Sequence, residues 1–377
     1  MPPKKFPTVW DAPPHTIAKI EMLQAYLVAW FQILGRKRTS QELLYVDGFA
    51  GPGEYKNYSL GSPLAALTAA TKDLELTGTG WVAGNIHCAF IEADTNRFKN
   101  LQQRIELFEK PAQVVIHTYR KSFTDGLAQL KKDLPLPFQA QDPLFVFIDP
   151  FGATGVPFSL VTELLNSRCS EVLINLDADG IARIFHAGEH AAYEQNLNEI
   201  FAGDDWKTLL SAGDASSELY RKVLQLYKTK LRSIKNVKYV FSFEMRTTLH
   251  ALNYYLVFAS QHYLGLEKMK EAMKRIDQDG TYCFSDAGTI QSSLFRFDKP
   301  EDHSISLFNV FHGRKVGYAP LRDFALNETP FINPKSMLKD LECNRDLIEE
   351  VGSTSARRQK GTFNEQKLTF IKFKERR

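Results

Sequence analysis

Leu44-Tyr45-Val46-Asp47-Gly48-Phe49-Ala50-Gly51-Pro52-Gly53 decides how this chain folds. A short apolar run ends on an acid and breaks into three glycines within six residues. Such a run, bounded by turn residues, reads as a strand buried on both faces, the kind found in parallel sheets. Glycine just beyond it permits positive φ and lets a ligand approach the main chain. The spacing is neither the G-x-G-x-x-G dinucleotide fingerprint nor the G-x-x-x-x-G-K-[ST] phosphate loop. Two readings stay open at this point: a ligand-binding turn, or a tight strand-to-helix turn that binds nothing.

Working outward, Ile17, Ile20, Leu23, Leu27, Phe31 and Leu34 recur at helical spacing over residues 15–34, and Gly35 follows as a stop. Downstream, apolar runs at residues 86–91, 114–116, 144–148 and 172–176 alternate with helical stretches. Ser62-Pro63 supplies a cap and a first-turn proline for residues 64–70, Asp94 a cap for 97–108, and Ser122 a cap for 123–132. Pro157 opens a helix over 158–166, residues 180–235 read as helical, and 266–276 as a further helix. Residues 237–245 and 252–259 read as an antiparallel hairpin. Alternating strands and helices fold as a doubly wound parallel sheet. Seven strands ending in a hairpin are the inventory of the class I methyltransferase fold. The expectation is therefore an α/β, Rossmann-like seven-stranded sheet with a helical insertion at about 180–235 and a small C-terminal module. The expected division is an N-terminal helical segment (1–40), the core (41–279) and the appended module (280–377).

Composition narrows the class. The chain has 377 residues, 44% hydrophobic and 24% charged, which is globular and excludes wholesale disorder. Its net charge of +3 permits a nucleic-acid partner without arguing for one. Cys88, Cys169, Cys283 and Cys343 stand outside metal-motif spacing of one another, against zinc, iron–sulfur and disulfide frameworks. The chain reads as reduced and cytoplasmic. Its first ten residues, MPPKKFPTVW, lack an apolar signal region, and no run approaches the ~18 apolar residues of a membrane span.

The opening stretch matches the Asp/Glu-x-F-x-G-x-G turn that S-adenosylmethionine (SAM) enzymes place after their first strand. In that role Gly51 and Gly53 pass under the methionine part, Asp47 orients the turn or contacts the amino group, and Gly48 and Phe49 complete the set. Glu92 ends the second strand, where a carboxylate can accept both ribose hydroxyls; otherwise it caps the next helix. It lies 45 residues after Asp47, against a usual ~20, so an insertion sits between the strands, at residues 55–62 or 77–85. After the third strand, Phe123 is placed to pack on adenine and Ser122 to hydrogen-bond it, or Ser122 is only a cap.

Leu144-Phe145-Val146-Phe147-Ile148-Asp149-Pro150-Phe151-Gly152 is the second signal. An acid at the end of a central strand lies over the switch point of a doubly wound sheet. The motif resembles the (D/N)PP(Y/F) of amino-methyltransferases, whose acid or amide steers a substrate amino group and whose aromatic stacks on the base. Here the second proline is missing. Asp149, Pro150 and Phe151 are the catalytic candidates, with Asp149 alternatively a general base or part of a plain turn. Asp177 and Asp179 either line the pocket or cap the following helix. No metal site is expected.

Taken together, YVDGFAGPG, GSPLAAL, FIEADTNRF, FVFIDPFG and EVLINLDADGI resemble the three-Cys-motif partner (TcmP) family. HYLGLEKMKEAMKRID and ETPF extend the resemblance, which covers residues 15–363. It implies a methyltransferase-like core and association with a separate, radical-SAM-like protein carrying a three-cysteine motif. It carries over onto Asp47, Gly48, Gly51, Gly53, Glu92 and Asp149 to Gly152. The expectation is a SAM-dependent methyltransferase acting on an amino or hydroxyl group of a nucleic acid. The alternative is a non-catalytic scaffold for the three-Cys-motif protein.

Overall fold

In the computed structural model the described residues are 7–37, 41–150, 155–186, 188, 191–210, 216–247, 252–277, 282–286, 300–355 and 357–376. The chain divides into two compact units: Met1–Ile276 with Cys283–Gly288, and Asp277–Tyr282 with Thr289–Arg377.

The first unit opens with α1 (Pro14–Lys37), β1 (Leu43–Asp47), α2 (Ser62–Thr77), β2 (Ile86–Ile91), α3 (Thr95–Glu106) and β3 (Val114–Tyr119). Then follow α4 (Phe123–Asp133), α5 (Pro135–Ala140), β4 (Leu144–Ile148), α6 (Phe158–Asn166) and β5 (Ser170–Leu176). The inserted helices are α7 (Ala178–His186), α8 (Glu194–Phe201) and α9 (Ser216–Ser233); β6 (Tyr239–Arg246), β7 (Leu252–Ser260), α10 (Tyr263–Ile276) and β8 (Cys283–Ser285) complete the unit. The sheet order is β3-β2-β1-β4-β5-β7-β6-β8. β1 to β5 are mutually parallel where they pair, and β7 runs antiparallel to β5 and β6. This is the expected class I methyltransferase order, extended by β8, which pairs parallel with β6. The sequence reading stopped at seven strands because Cys283–Ser285 is only three residues long and carries no periodicity.

Every residue of β1, β2 and β4 is buried, as continuous apolar runs in a two-faced parallel sheet must be. One face packs on α4, α6 and the inserted helices through Val46, Val146, Leu127, Val161 and Leu197. The other receives α1, whose Tyr26 ring lies 5.1 Å from Phe145 and 5.4 Å from Phe258. Tyr26 also donates to the buried Glu171 at the start of β5. The N-terminal helix is thus part of the sheet unit. An 18-residue window of α1 has mean hydropathy 1.3, long and apolar enough to cross a membrane by those measures, contrary to the sequence reading. Half of that window is buried inside the unit.

Asp94 caps α3, accepting from the Asn96 and Arg97 amides, both at 2.9 Å, and Ser122 caps α4. The cap of α2 is Gly61, not Ser62. Gly61 N donates to Gly53 O at 2.8 Å, and a Cβ on Gly61 would come within 2.6 Å of the Gly53 main chain. Ser62 is thereby moved into the first turn and faces Asp47 instead.

The second unit holds α11 (Pro300–Phe311), β9 (Lys315–Val316), α12 (Tyr318–Glu328), α13 (Lys335–Cys343), β10 (Ile348–Ser353) and β11 (Leu368–Phe373). β11 pairs antiparallel with both β10 and β9, and Leu307, Leu321, Met337, Leu341 and Phe373 form its core. The C-terminal cations belong to this structure: Lys372 and Lys374 pair with Glu349 and Asp346 at 2.6 Å.

Candidate functional site

At the carboxyl edge of the sheet, β1 and β4 are neighbours and the strand order reverses between them, the position where open α/β sheets bind ligands. The β1 turn is fastened to β2 and β4. Gly48 N donates to Phe147 O and Ala50 N to Ile91 O, both at 2.9 Å. Gly51 N then donates to Glu92 Oε2 at 2.9 Å, while Asp94 N donates to Glu92 Oε1 at 2.7 Å. Glu92 is 6% exposed, so its carboxylate faces the turn rather than bulk solvent. It does not cap α3, since Asp94 does. An ionised carboxylate offers about four acceptor positions, so two amides leave acceptor capacity on each oxygen.

Gly51 adopts φ +63°, and a Cβ there would meet nothing within 4 Å. At Gly51 the turn therefore leaves open space beside the main chain, in a conformation side chains disfavour, next to the Glu92 carboxylate. Gly53 is also left-handed, at φ +84°. Asp47 is fully buried. Its Oδ1 accepts from Phe49 N at 3.2 Å, and its Oδ2 has no hydrogen-bond partner among the described residues. Burial pushes its carboxyl up to about 7; the Ser62 hydroxyl and the Phe49 amide oppose this, and the Asp149 and Glu92 charges add to it.

Phe49 and Phe123 lie 5.6 Å apart, and Phe123, 6% exposed, packs over the Gly48 main chain as part of the core. The Ser122 hydroxyl is engaged locally, donating to Asp125 Oδ2 at 2.7 Å and accepting from Asp125 N at 3.2 Å. These placements give Ser122 a capping role and Phe123 a packing role.

Asp149, just beyond β4, is held from two sides. Lys19 Nζ of α1 donates to Oδ2 at 2.5 Å and Asn175 Nδ2 of β5 to Oδ1 at 2.7 Å. Lys19 lies 5.1 Å from the centre of the Tyr254 ring on β7. The hydroxyls of Tyr45 and Tyr254 and Asn175 Oδ1 are buried without partners among the described residues. Burial raises both phenols well above their ordinary range, with Asp47 the next contribution for Tyr45 and Asp149 for Tyr254. Pro150 follows Asp149; Phe151 and Gly152 lie outside the described residues. Asp177 caps α7 by accepting from Gly180 N at 2.7 Å, and Asp179 accepts from Tyr220 Oη at 2.9 Å.

Sequence reading missed Lys19, Asn175, Tyr45 and Tyr254. One signal for Lys19 was available: it shares a helix face with Leu23 and Tyr26, at i+4 and i+7, both buried. A lysine on an apolar stripe needs a buried acceptor, but the sequence does not say which one.

No protein-family model and no curated protein matches the sequence. Among solved structures, the chain is similar to a putative methyltransferase from Porphyromonas gingivalis W83, at 15% identity and TM-score 0.27, over 62% of this chain and 41% of that one. It is also similar to Trm1 from Pyrococcus horikoshii with SAM (11%, TM-score 0.34, 73% and 62%) and to the O-methyltransferase TomG from Streptomyces achromogenes with SAM (15%, TM-score 0.33, 63% and 80%). The chain spans about two fifths of the first protein and three fifths of the second. The strand order, not these superpositions, defines the fold.

Proposed function

We propose that this chain is a SAM-dependent methyltransferase whose nucleophile is a hydroxyl group of a nucleic acid. The observation that carries the cofactor assignment is the bond from Gly51 N to Glu92 Oε2, which brings the open glycine turn and the strand-two acid to one point. Glu92 would hold the ribose, and the main chain of Gly51 to Gly53 would lie under the methionine part. Asp47 Oδ2, without a hydrogen-bond partner among the described residues, would accept from its amino group. Bound SAM supplies an electrophilic methyl group; the protein's part is to hold the nucleophile in line with it and to keep water out.

One feature favours a hydroxyl. Each Asp149 oxygen already accepts from one donor, Lys19 or Asn175, and the paired Lys19 ammonium offsets the carboxylate charge, which weakens its pull on an amino group in the role of the (D/N)PP(Y/F) acid. Lys19 and Asn175 would fix Asp149 as a framework on which the substrate rests. The nucleic-acid part is supported by an open groove of about 460 Å³ beside the end of β3, lined by Arg120, Lys121 and Lys132 against Asp125. Such cations suit phosphate contacts.

Isothermal calorimetry tests the cofactor: SAM binds the folded chain in the micromolar range, and Glu92→Ala weakens it at least tenfold. Folded protein giving no heat would sink the assignment. The occupied Asp149 also suits a second reading, a methyltransferase-like scaffold for a three-Cys-motif protein. Transfer of label from radioactive SAM to RNA or DNA eliminates that reading.

A further inference from the structure

One turn before Lys19, the same face of α1 carries His15. Asp286, the residue after β8, pins it twice. The His15 main-chain N–H donates to Asp286 Oδ1 at 2.6 Å, and His15 Nδ1 lies 2.6 Å from Oδ2. An ionised carboxylate only accepts, so Nδ1 carries the proton of this bond. In the neutral ring that leaves the lone pair on Nε2. Among the described residues, Asn253 Nδ2 lies 3.4 Å from it, a long hydrogen bond. The pair is shielded, with side chains 15% and 7% exposed.

The His15 ring meets the Tyr254 ring edge-on at 5.8 Å, and Lys19 Nζ sits over that same ring at 5.1 Å. His15 and the Lys19–Asp149 pair therefore share one tyrosine, at the same edge of the sheet as the glycine turn. Among the described residues, the charged and titratable groups around His15 include Asp286 after β8, Lys19 on α1, Tyr254 on β7 and, through Lys19, Asp149 after β4.

We propose that His15 is the catalytic base of the methyl transfer and Asp286 its positioning residue; this rests on the methyltransferase reading above. Nε2 takes the proton of the substrate hydroxyl as its oxygen forms the new bond to the methyl carbon. The carbon–sulfur bond breaks with its electron pair returning to sulfur, leaving S-adenosylhomocysteine, the methyl ether and an imidazolium beside Asp286. A histidine base oriented by a carboxylate is one of the arrangements that take a proton from an oxygen nucleophile.

The deciding measurement is long-range ¹H–¹⁵N NMR of the full chain labelled on histidine nitrogens at pH 8, with the His15 signals assigned by their loss in His15→Gln. His15 is expected as the Nδ1–H tautomer with Nε2 unprotonated, and Asp286→Asn should convert it toward Nε2–H. A wild-type ring protonated on Nε2, or one indifferent to Asp286→Asn, overturns the assignment. Function is read separately. His15→Gln should bind SAM within twofold of wild type by calorimetry, yet lose at least 100-fold in label transferred from radioactive SAM to total bacterial RNA. Full transfer by His15→Gln refutes the base while leaving the methyltransferase reading intact. Absent SAM heat in the wild type refutes that reading instead, and the tautomer still reports on the pair.

Discussion

Lys19 Nζ and Asp149 Oδ2, 130 residues apart in sequence, lie 2.5 Å apart and fasten the first helix to the end of the central strand. Their side chains are 8% and 22% exposed. Removing one partner of a buried pair costs ~3–5 kcal/mol, because the other charge stays behind unpaired. The partial exposure of Asp149 puts Lys19→Met toward the low end of that range. Lys19→Met combined with Asp149→Asn should recover much of the loss, since neither charge is then stranded. A double-variant cycle by urea denaturation checks this, and strictly additive losses would show that the two residues are not coupled.

Glu92 serves the turn before it serves any ligand. Glu92→Gln keeps an acceptor for one of the two amides of Gly51 and Asp94, whereas Glu92→Ala keeps none. Each buried amide left without an acceptor costs ~1–3 kcal/mol. Glu92→Gln should therefore lose about half as much stability as Glu92→Ala while binding SAM more weakly, and Glu92→Ala should lose the most in both. Thermal melts alongside calorimetry separate the two effects. Equal stability of both variants would mean the carboxylate does not hold the turn.

Gly51 and Gly61 should respond differently to alanine. At Gly51 a Cβ enters empty space, so Gly51→Ala carries only the left-handed backbone strain of ~1–2 kcal/mol. Its methyl group would nevertheless stand where the ligand approaches, so SAM affinity should fall more than stability. At Gly61 the new Cβ would lie 2.6 Å from the Gly53 main chain, which cannot rotate away. Gly61→Ala should displace the glycine turn from the start of α2 and lower the melting temperature sharply. A Gly61→Ala protein as stable as wild type would contradict this packing.

The buried Asp47 and the half-buried His117 give the stability opposite pH slopes. Asp47 has a folded value of about 7 against 3.8 unfolded, so between these values the unfolded chain has released a proton that the folded one keeps. Rising pH therefore favours unfolding across that window, by on the order of 4 kcal/mol at ~1.4 kcal/mol per unit. His117 runs the other way. Burial, then the neighbouring His87, lowers it from 6.5 to about 4, so between these values only the unfolded chain is protonated and rising pH favours folding. Urea denaturation from pH 4 to 8 should show Asp47→Asn removing the destabilising slope and His117→Gln the stabilising one. An Asp47→Asn protein that retains the wild-type slope would place the titration elsewhere.

Much of the core was legible because short apolar runs alternating with capped helices have one economical solution, a parallel sheet wound on both faces. Asp94, Ser122 and Pro157 stand at the helix starts their chemistry implies. β8 escaped notice because three residues carry no period, and Gly61 displaced Ser62 as a cap because the Gly53 main chain approaches too closely for any side chain. Neither fact is local.

The site divides along the same line. Leu44 to Gly53, Glu92 and Asp149 could be picked out from sequence because strand ends and glycine turns are written in consecutive residues. The tertiary structure alone decided that Glu92 holds Gly51, that Lys19 and Asn175 occupy Asp149, and that His15 meets Asp286. Hydrogen bonds and ion pairs act over about 3 Å, and residues far apart along the chain come that close only once the helices and the sheet have packed.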